Sequence, residues 1–215
     1  MKLKNIVKVM SLISLFIMGS CQMSKDQVTD PEEVAAKDLP DVPAFEDEFT
    51  RGFLTSTQET RPGYYSFLSK TEQFKMDFPR NGVIGEQSYS VEENNSEGIY
   101  IGMDNDDSNI RIFLEYYGQG TEPSLETSIS TLEGSVGEDL TFKEQKTYPY
   151  DLYLASYIND NPKRKGLVAI LENNNEVLWV RYTIESLYKG GSEQVFTRET
   201  EEFMEWIKSI VFQEG

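Results

Sequence analysis

Ile110, Ile112, Leu114 and Tyr116 occupy alternate positions, the period of a strand with one face buried. Similar runs stand on either side. Tyr64–Ser69 and Gln73–Phe78, joined by the polar Lys70-Thr71-Glu72 and stopped by Pro79, predict a hairpin. Gly98–Met103 and Ile110–Tyr117 predict a second one across an acidic turn. A meander follows at Asp139–Lys143, Asp151–Asn159, Gly166–Glu172 and Val177–Ile184, with turns such as Asn161-Pro162-Lys163 and Asn173-Asn174-Asn175. In two segments the period changes to that of a helix. Leu125, Ile129 and Leu132 share one face after Pro123, with Gly134 just past the expected end. From about Ser192 to Ile210, the residues Val195, Phe196, Phe203, Trp206, Ile207 and Ile210 form an apolar face, with Glu193, Glu201, Glu202 and Glu205 largely outside it. The expected fold class is α+β: an antiparallel sheet of about six to eight strands with helices packed on its faces.

The N-terminal region has a different pattern. Lys2, Lys4 and Lys8 precede the apolar stretch Val9–Met18, and Met18-Gly19-Ser20-Cys21 closes it as a lipobox. The stretch falls short of the ~20 apolar residues that span a bilayer. Cys21 is the only cysteine, so it is read as the lipid attachment site. A diacylglycerol there supplies the two acyl chains that stable anchoring needs. The expected organisation is a lipoprotein signal peptide over 1–20, an acidic tether over 21–62 and one α+β domain over 63–215. The expected location is the extracytoplasmic face of the cell membrane. Asp30-Pro31-Glu32-Glu33 suits the start of a short helix, and Pro40 and Pro43 interrupt anything longer. A flexible tether of this length would reach roughly 35 Å. Within it Phe45, Phe49 and Phe53 repeat at helical spacing, which predicts an apolar stripe docked on the chain's own domain.

Charge and chemistry narrow the function. The formal charge of the full chain is −17, and loss of Lys2, Lys4 and Lys8 with the signal brings it to −20. Such a body repels nucleic acid and anionic headgroups, so the only membrane contact expected is through the lipid. One cysteine allows no internal disulfide. There is no histidine, which removes Ser-His-Asp and Cys-His catalysis and imidazole zinc sites. Carboxylates remain as acid-base groups, and a hydrolase of wall glycans is the enzymatic alternative, but no Asp/Glu pair stands out from the acidic background.

Three further clusters are worth weighing. Asp104, Asp106, Ser108 and Glu115 fall at positions 1, 3, 5 and 12 of a calcium-binding loop, with Asn109 in place of the usual glycine. The strands expected on both sides argue for a solvated hairpin turn and against calcium, so no cofactor is expected. Lys163-Arg164-Lys165 is the only basic triplet after Cys21 and reads as a solvated turn. Tyr150, Leu152 and Leu154 alternate with Tyr153 and Tyr157, a pattern suited either to an interface or to a sheet lying under helices.

Two stretches resemble known families. Phe74-Lys75-Met76-Asp77-Phe78-Pro79, the central helix, the meander and Glu205-Trp206-Ile207-Lys208-Ser209-Ile210-Val211-Phe212 resemble the Mog1/PsbP-like sandwich. Asp38-Leu39-Pro40-Asp41-Val42-Pro43-Ala44-Phe45 and Pro62-Gly63-Tyr64-Tyr65 are similar to the YvcA-type lipoproteins of bacilli. The resemblance implies a non-catalytic binding or scaffolding module of the envelope, or of colony and biofilm organisation. Its partner would be an unidentified envelope protein or polymer. It carries over no catalytic residue.

Overall fold

The computed structural model describes residues 29–93, 95–147, 150–158 and 163–213. Twelve strands form two antiparallel sheets: β1 (Leu54–Arg61), β2 (Tyr64–Leu68), β3 (Phe74–Pro79), β4 (Val83–Ile84), β5 (Ser90–Glu92), β6 (Ser96–Asp104), β7 (Ser108–Tyr117), β8 (Lys143–Thr147), β9 (Tyr150–Ile158), β10 (Arg164–Asn173), β11 (Glu176–Ser186) and β12 (Val211–Phe212). The smaller sheet runs β1-β2-β3-β12. The larger runs β4-β6-β7-β11-β10-β9-β8, with β5 beside β6. Among the described residues four α-helices accompany the sheets: α1 (Pro43–Glu46), α2 (Glu48–Arg51), α3 (Leu125–Val136) and α4 (Glu193–Trp206). The α+β layout matches the expectation, with the small sheet as an additional layer.

The main core fills the space between the two sheets and α4. Phe67, Phe74 and Phe78 from β2 and β3 meet Ile99, Ile101, Ile110, Ile112 and Tyr116 from β6 and β7, all buried. α4 lies over β11, with Phe203 against Tyr182 at 5.1 Å between ring centres. A second core lies on the far face of the large sheet, where Leu125, Ile129, Leu132 and Val136 of α3 cover Val168, Ile170, Ala155 and Trp179. β10 is therefore covered on both faces, and Leu167–Leu171 is an unbroken apolar run, as expected of a doubly buried strand. β7 strictly alternates buried and half-buried positions, so only one of its faces is packed.

The domain boundary needs correction. The core takes in Val42, Ala44, Phe45, Phe53 and Leu54, and β1 is part of the small sheet, although all fall inside the expected 21–62 tether. Phe45, Phe49 and Phe53 do dock on their own domain, but not from one continuous helix: Phe45 lies in α1, Phe49 in α2 beyond Asp47, and Phe53 in the turn that leads into β1. Phe45 packs edge-on to Tyr65, and Phe53 stacks on Phe67. The chain before α1 also lies on the domain. Leu39 packs against the core, Pro31 is buried, and the Thr29 carbonyl accepts from the Thr57 amide of β1 at 2.6 Å. Thr29 lies eight positions after Cys21, so that link spans at most roughly 29 Å at full extension.

Three element ends also move. α3 runs through Gly134 to Gly137, whose left-handed backbone (φ 78°) terminates it. β8 starts at Lys143 where a strand over 139–143 was expected, because Leu140 and Phe142 pack under α3 against the second core. α4 stops at Trp206 rather than continuing to Ile210. A 3₁₀ turn, Ile207–Ser209, then returns the chain so that β12 pairs with Phe74 and Lys75.

Candidate functional site: a cationic groove on the open face of the large sheet

α3 covers only the β9–β11 half of the outer face, and beside it the sheet is open. Three cross-strand rows line the opening. One runs Tyr100–Phe113–Arg181, the next Gly102–Arg111–Thr183–Gly166–Tyr157 and the third Asp104–Asn109–Glu185–Arg164. The C-terminal turn of α3, with Ser135 and Val136, forms the wall. The groove encloses about 400 Å³, the size of a small-ligand site.

Strand alternation puts these residues there. In β7 the residues Ile110, Ile112 and Leu114 point into the core, leaving Asn109, Arg111 and Phe113 outside; in β11 Tyr182 and Ile184 point in, leaving Arg181, Thr183 and Glu185 outside. Arg111 donates to the Met103 carbonyl at 3.1 Å and pairs with Asp104 at 2.8 Å. Arg164 pairs with Glu185 at 2.9 Å. Arg181 donates to the Ser135 carbonyl at 3.2 Å, where the C-terminal end of α3 is electronegative, and its guanidinium lies 5.4 Å from the Phe113 ring centre. No carboxylate among the described residues pairs with it.

The Tyr157 ring fills the space in front of Gly166, and its hydroxyl shares a 2.7 Å hydrogen bond with Thr183. Burial pushes the Tyr157 hydroxyl above the usual tyrosine range, so it stays protonated at neutral pH. A Cβ at Gly166 would collide with this ring. Gly166→Ala should therefore displace Tyr157 and cost about 1–3 kcal/mol, read as a lowered melting midpoint. An unchanged midpoint would mean that the ring is free to move aside.

The calcium-type set is not brought together. β6 and β7 pair from Asp104↔Asn109 to Gly98↔Glu115, which puts Glu115 six residues up β7 and roughly 20 Å from the turn. There its carboxylate accepts from the Tyr117 hydroxyl at 2.7 Å. The turn's anionic groups have other partners. Asp107 takes a bidentate contact from Arg198 of α4 at 2.8 and 2.7 Å, and this lowers its pKa. Arg198 also holds Glu199, which accepts from the buried Ser108 hydroxyl at 2.9 Å. Asp106 is exposed. The acidic turn thus serves as a clasp for α4.

The basic triplet is not a solvated turn either. Arg164 and Lys165 open β10 and point to opposite faces, Arg164 into the groove and Lys165 to Glu193 and the Phe196 ring. The tyrosine-rich strand is packed on both faces: Tyr150 and Leu152 join the main core, where Tyr150 meets Phe212 of β12, and Ala155 and Tyr157 join the second under α3. Cys21 lies outside the described residues. Sequence reasoning missed the groove, although alternation already placed Arg111 and Phe113 opposite the core face of β7. What the pattern lacked was the pairing of β7 with β11 and the extent of α3.

Known proteins with a related sequence place the chain. The family described as "Putative lipoprotein YvcA" matches residues 40–211. The Bacillus subtilis (strain 168) protein of that description is 30% identical over 168 residues, covering 71% of this chain and 69% of its own. A solved structure from Bacteroides thetaiotaomicron VPI-5482 is similar at a TM-score of 0.41 and 17% identity, and this chain covers about half of it (48%). The match to residues 40–211 takes in the core, both sheets and the docked segment before β1, and the chain belongs to the YvcA lipoprotein family.

Proposed function

We propose that this protein is held by a diacylglycerol on Cys21 at the extracytoplasmic face of the cell membrane, and that its domain is a non-catalytic binding or scaffolding module of the envelope, with a part in colony or biofilm organisation. The observation that carries this reading is the lipobox at Cys21, only eight residues before the point where Thr29 bonds to β1. Membership of a lipoprotein family supports it. The short link sets the geometry. The β1 edge would stay within roughly 29 Å of the attachment point, closer than a free tether over 21–62 would keep the domain. Fractionation of cells carrying wild type and Cys21→Ala tests the anchor. Wild type should sediment with membranes and the variant should move to the soluble fraction; equal membrane association of the two would sink the proposal.

A further inference from the structure

We infer that the groove beside α3 binds an anionic carbohydrate-type unit, a sugar or polyol bearing a phosphate diester or carboxylate; this rests on reading the domain as a binding module. The argument begins with charge. The chain carries 37 acidic and 20 basic side chains, yet the groove gathers Arg111, Arg164 and Arg181 against the single carboxylate of Glu185, with Asp104 at its rim. Arg181 matters most. Among the described residues its charge meets a carbonyl and an aromatic ring and no carboxylate, and it stands on a central strand beside the wall of the groove. A guanidinium without a carboxylate partner offers the forked donors that match phosphate or carboxylate oxygens.

The remaining lining fits the rest of such a ligand. Tyr100, Tyr157 and Thr183 supply hydroxyls and Asn109 an amide, which suit a polyhydroxylated unit. Phe113 and Tyr100 are cross-strand neighbours and offer ring surface for a sugar face. An extended peptide adding as a strand does not suit this place, because β6, β7, β11 and β10 are each paired on both sides along the groove. The −20 net charge disfavours non-specific anion binding, so a bound anion needs a local cluster of cations such as this one.

Calorimetry of the full chain in detergent micelles tests the inference with three probes: a glycerol-phosphate polymer, a glucuronate-containing oligosaccharide and a neutral N-acetylglucosamine tetramer. At least one anionic probe should bind saturably at millimolar concentration or below, and should weaken as salt is raised. Which of the two binds identifies the source of the charge. Arg181→Gln and, independently, Arg111→Gln should each weaken that binding by about tenfold or more, with melting midpoints close to wild type. Arg181→Lys should fall between Arg181→Gln and wild type. No saturable heat from either anionic probe, equal binding of the neutral tetramer, or wild-type affinity in both glutamine variants would overturn it. Failure here is separable from failure of the anchor: a soluble Cys21→Ala chain that binds the probe keeps the groove, and a membrane-bound wild type that binds none keeps the anchor.

Discussion

Trp206→Ala should lower the stability of the domain by about 3–5 kcal/mol, a large part of the ~5–15 kcal/mol that holds a domain together. Trp206 ends α4 buried between the two sheets, with Tyr182 at 6.3 Å and Phe203 at 6.0 Å between ring centres. It also completes a sheet edge. β12 pairs only with Phe74 and Lys75, which would leave the backbone of Asp77 without a partner on that side of β3. The Trp206 indole N–H donates to the Asp77 carbonyl at 2.8 Å, and the Asp77 amide donates to the Ser209 hydroxyl at 3.0 Å. Truncation therefore opens a cavity and leaves the carbonyl of half-buried Asp77 without this partner. Trp206→Phe retains most of the packing and loses the bond, so it should cost about 1–2 kcal/mol more than packing alone requires. Chemical denaturation of both variants checks the pair. A loss below about 1 kcal/mol for Trp206→Ala would show that α4 is not fixed to the small sheet.

Glu97→Ala should be comparably damaging, for a polar reason. Glu97 is buried on β6, yet its carboxylate accepts from the Lys70 amide at 3.0 Å, the Thr71 amide at 3.0 Å, the Thr71 hydroxyl at 2.8 Å and the Tyr89 hydroxyl at 3.2 Å. It thus binds the β2–β3 turn of one sheet to a strand of the other. The same turn contains Glu72 with a left-handed backbone (φ 60°). Removing the carboxylate leaves the Lys70 and Thr71 amides and the Tyr89 hydroxyl without an acceptor, and the Thr71 hydroxyl with only Ser69 Oγ at 3.2 Å, at about 1–3 kcal/mol per lost partner before relaxation; a net loss of about 3–5 kcal/mol is expected. Glu97→Gln keeps one acceptor oxygen and should lose roughly half as much. In a thermal melt the alanine variant should fall by roughly 6–20 °C at about 2–4 °C per kcal/mol for a domain of this size. If alanine and glutamine melt together near wild type, water has replaced the carboxylate and the clasp is dispensable.

Much of the fold can be read in the sequence where burial is strong. β7, β10 and β11 stand out because their apolar pattern follows directly from one or two covered faces, and the α4 face carrying Val195, Phe203 and Trp206 is unambiguous. β1 was hidden because it is a polar edge strand: only Leu54 of its eight residues is buried. β12 and α1 were too short to carry a period. Their apolar residues belong to the core through contacts distant in the chain, which no local window contains. The candidate site divides in the same way. Arg111 and Phe113 fall on the outward face of β7 by the alternation of Ile110, Ile112 and Leu114, but Arg181 and Thr183 join them only because β7 pairs with β11 and α3 stops at Gly137. Glu97 gave no signal, since an acid in an acidic chain looks solvated until its donors from Lys70, Thr71 and Tyr89 are seen. The calcium spacing counts along the chain, whereas the extended strand that the alternation of Ile110, Ile112 and Leu114 predicts carries Glu115 away from Asp104.

The anchor on Cys21 is the central claim, because the location, the short link to β1 and the envelope role all depend on it. Mass spectrometry of the N-terminal fragment of the protein purified from membranes tests it most directly. The fragment should begin at Cys21 and carry the added mass of a diacylglycerol on its thiol. A mature chain that begins elsewhere, or an unmodified Cys21 in the membrane fraction, would contradict the lipid anchor and with it the proposed place of the domain.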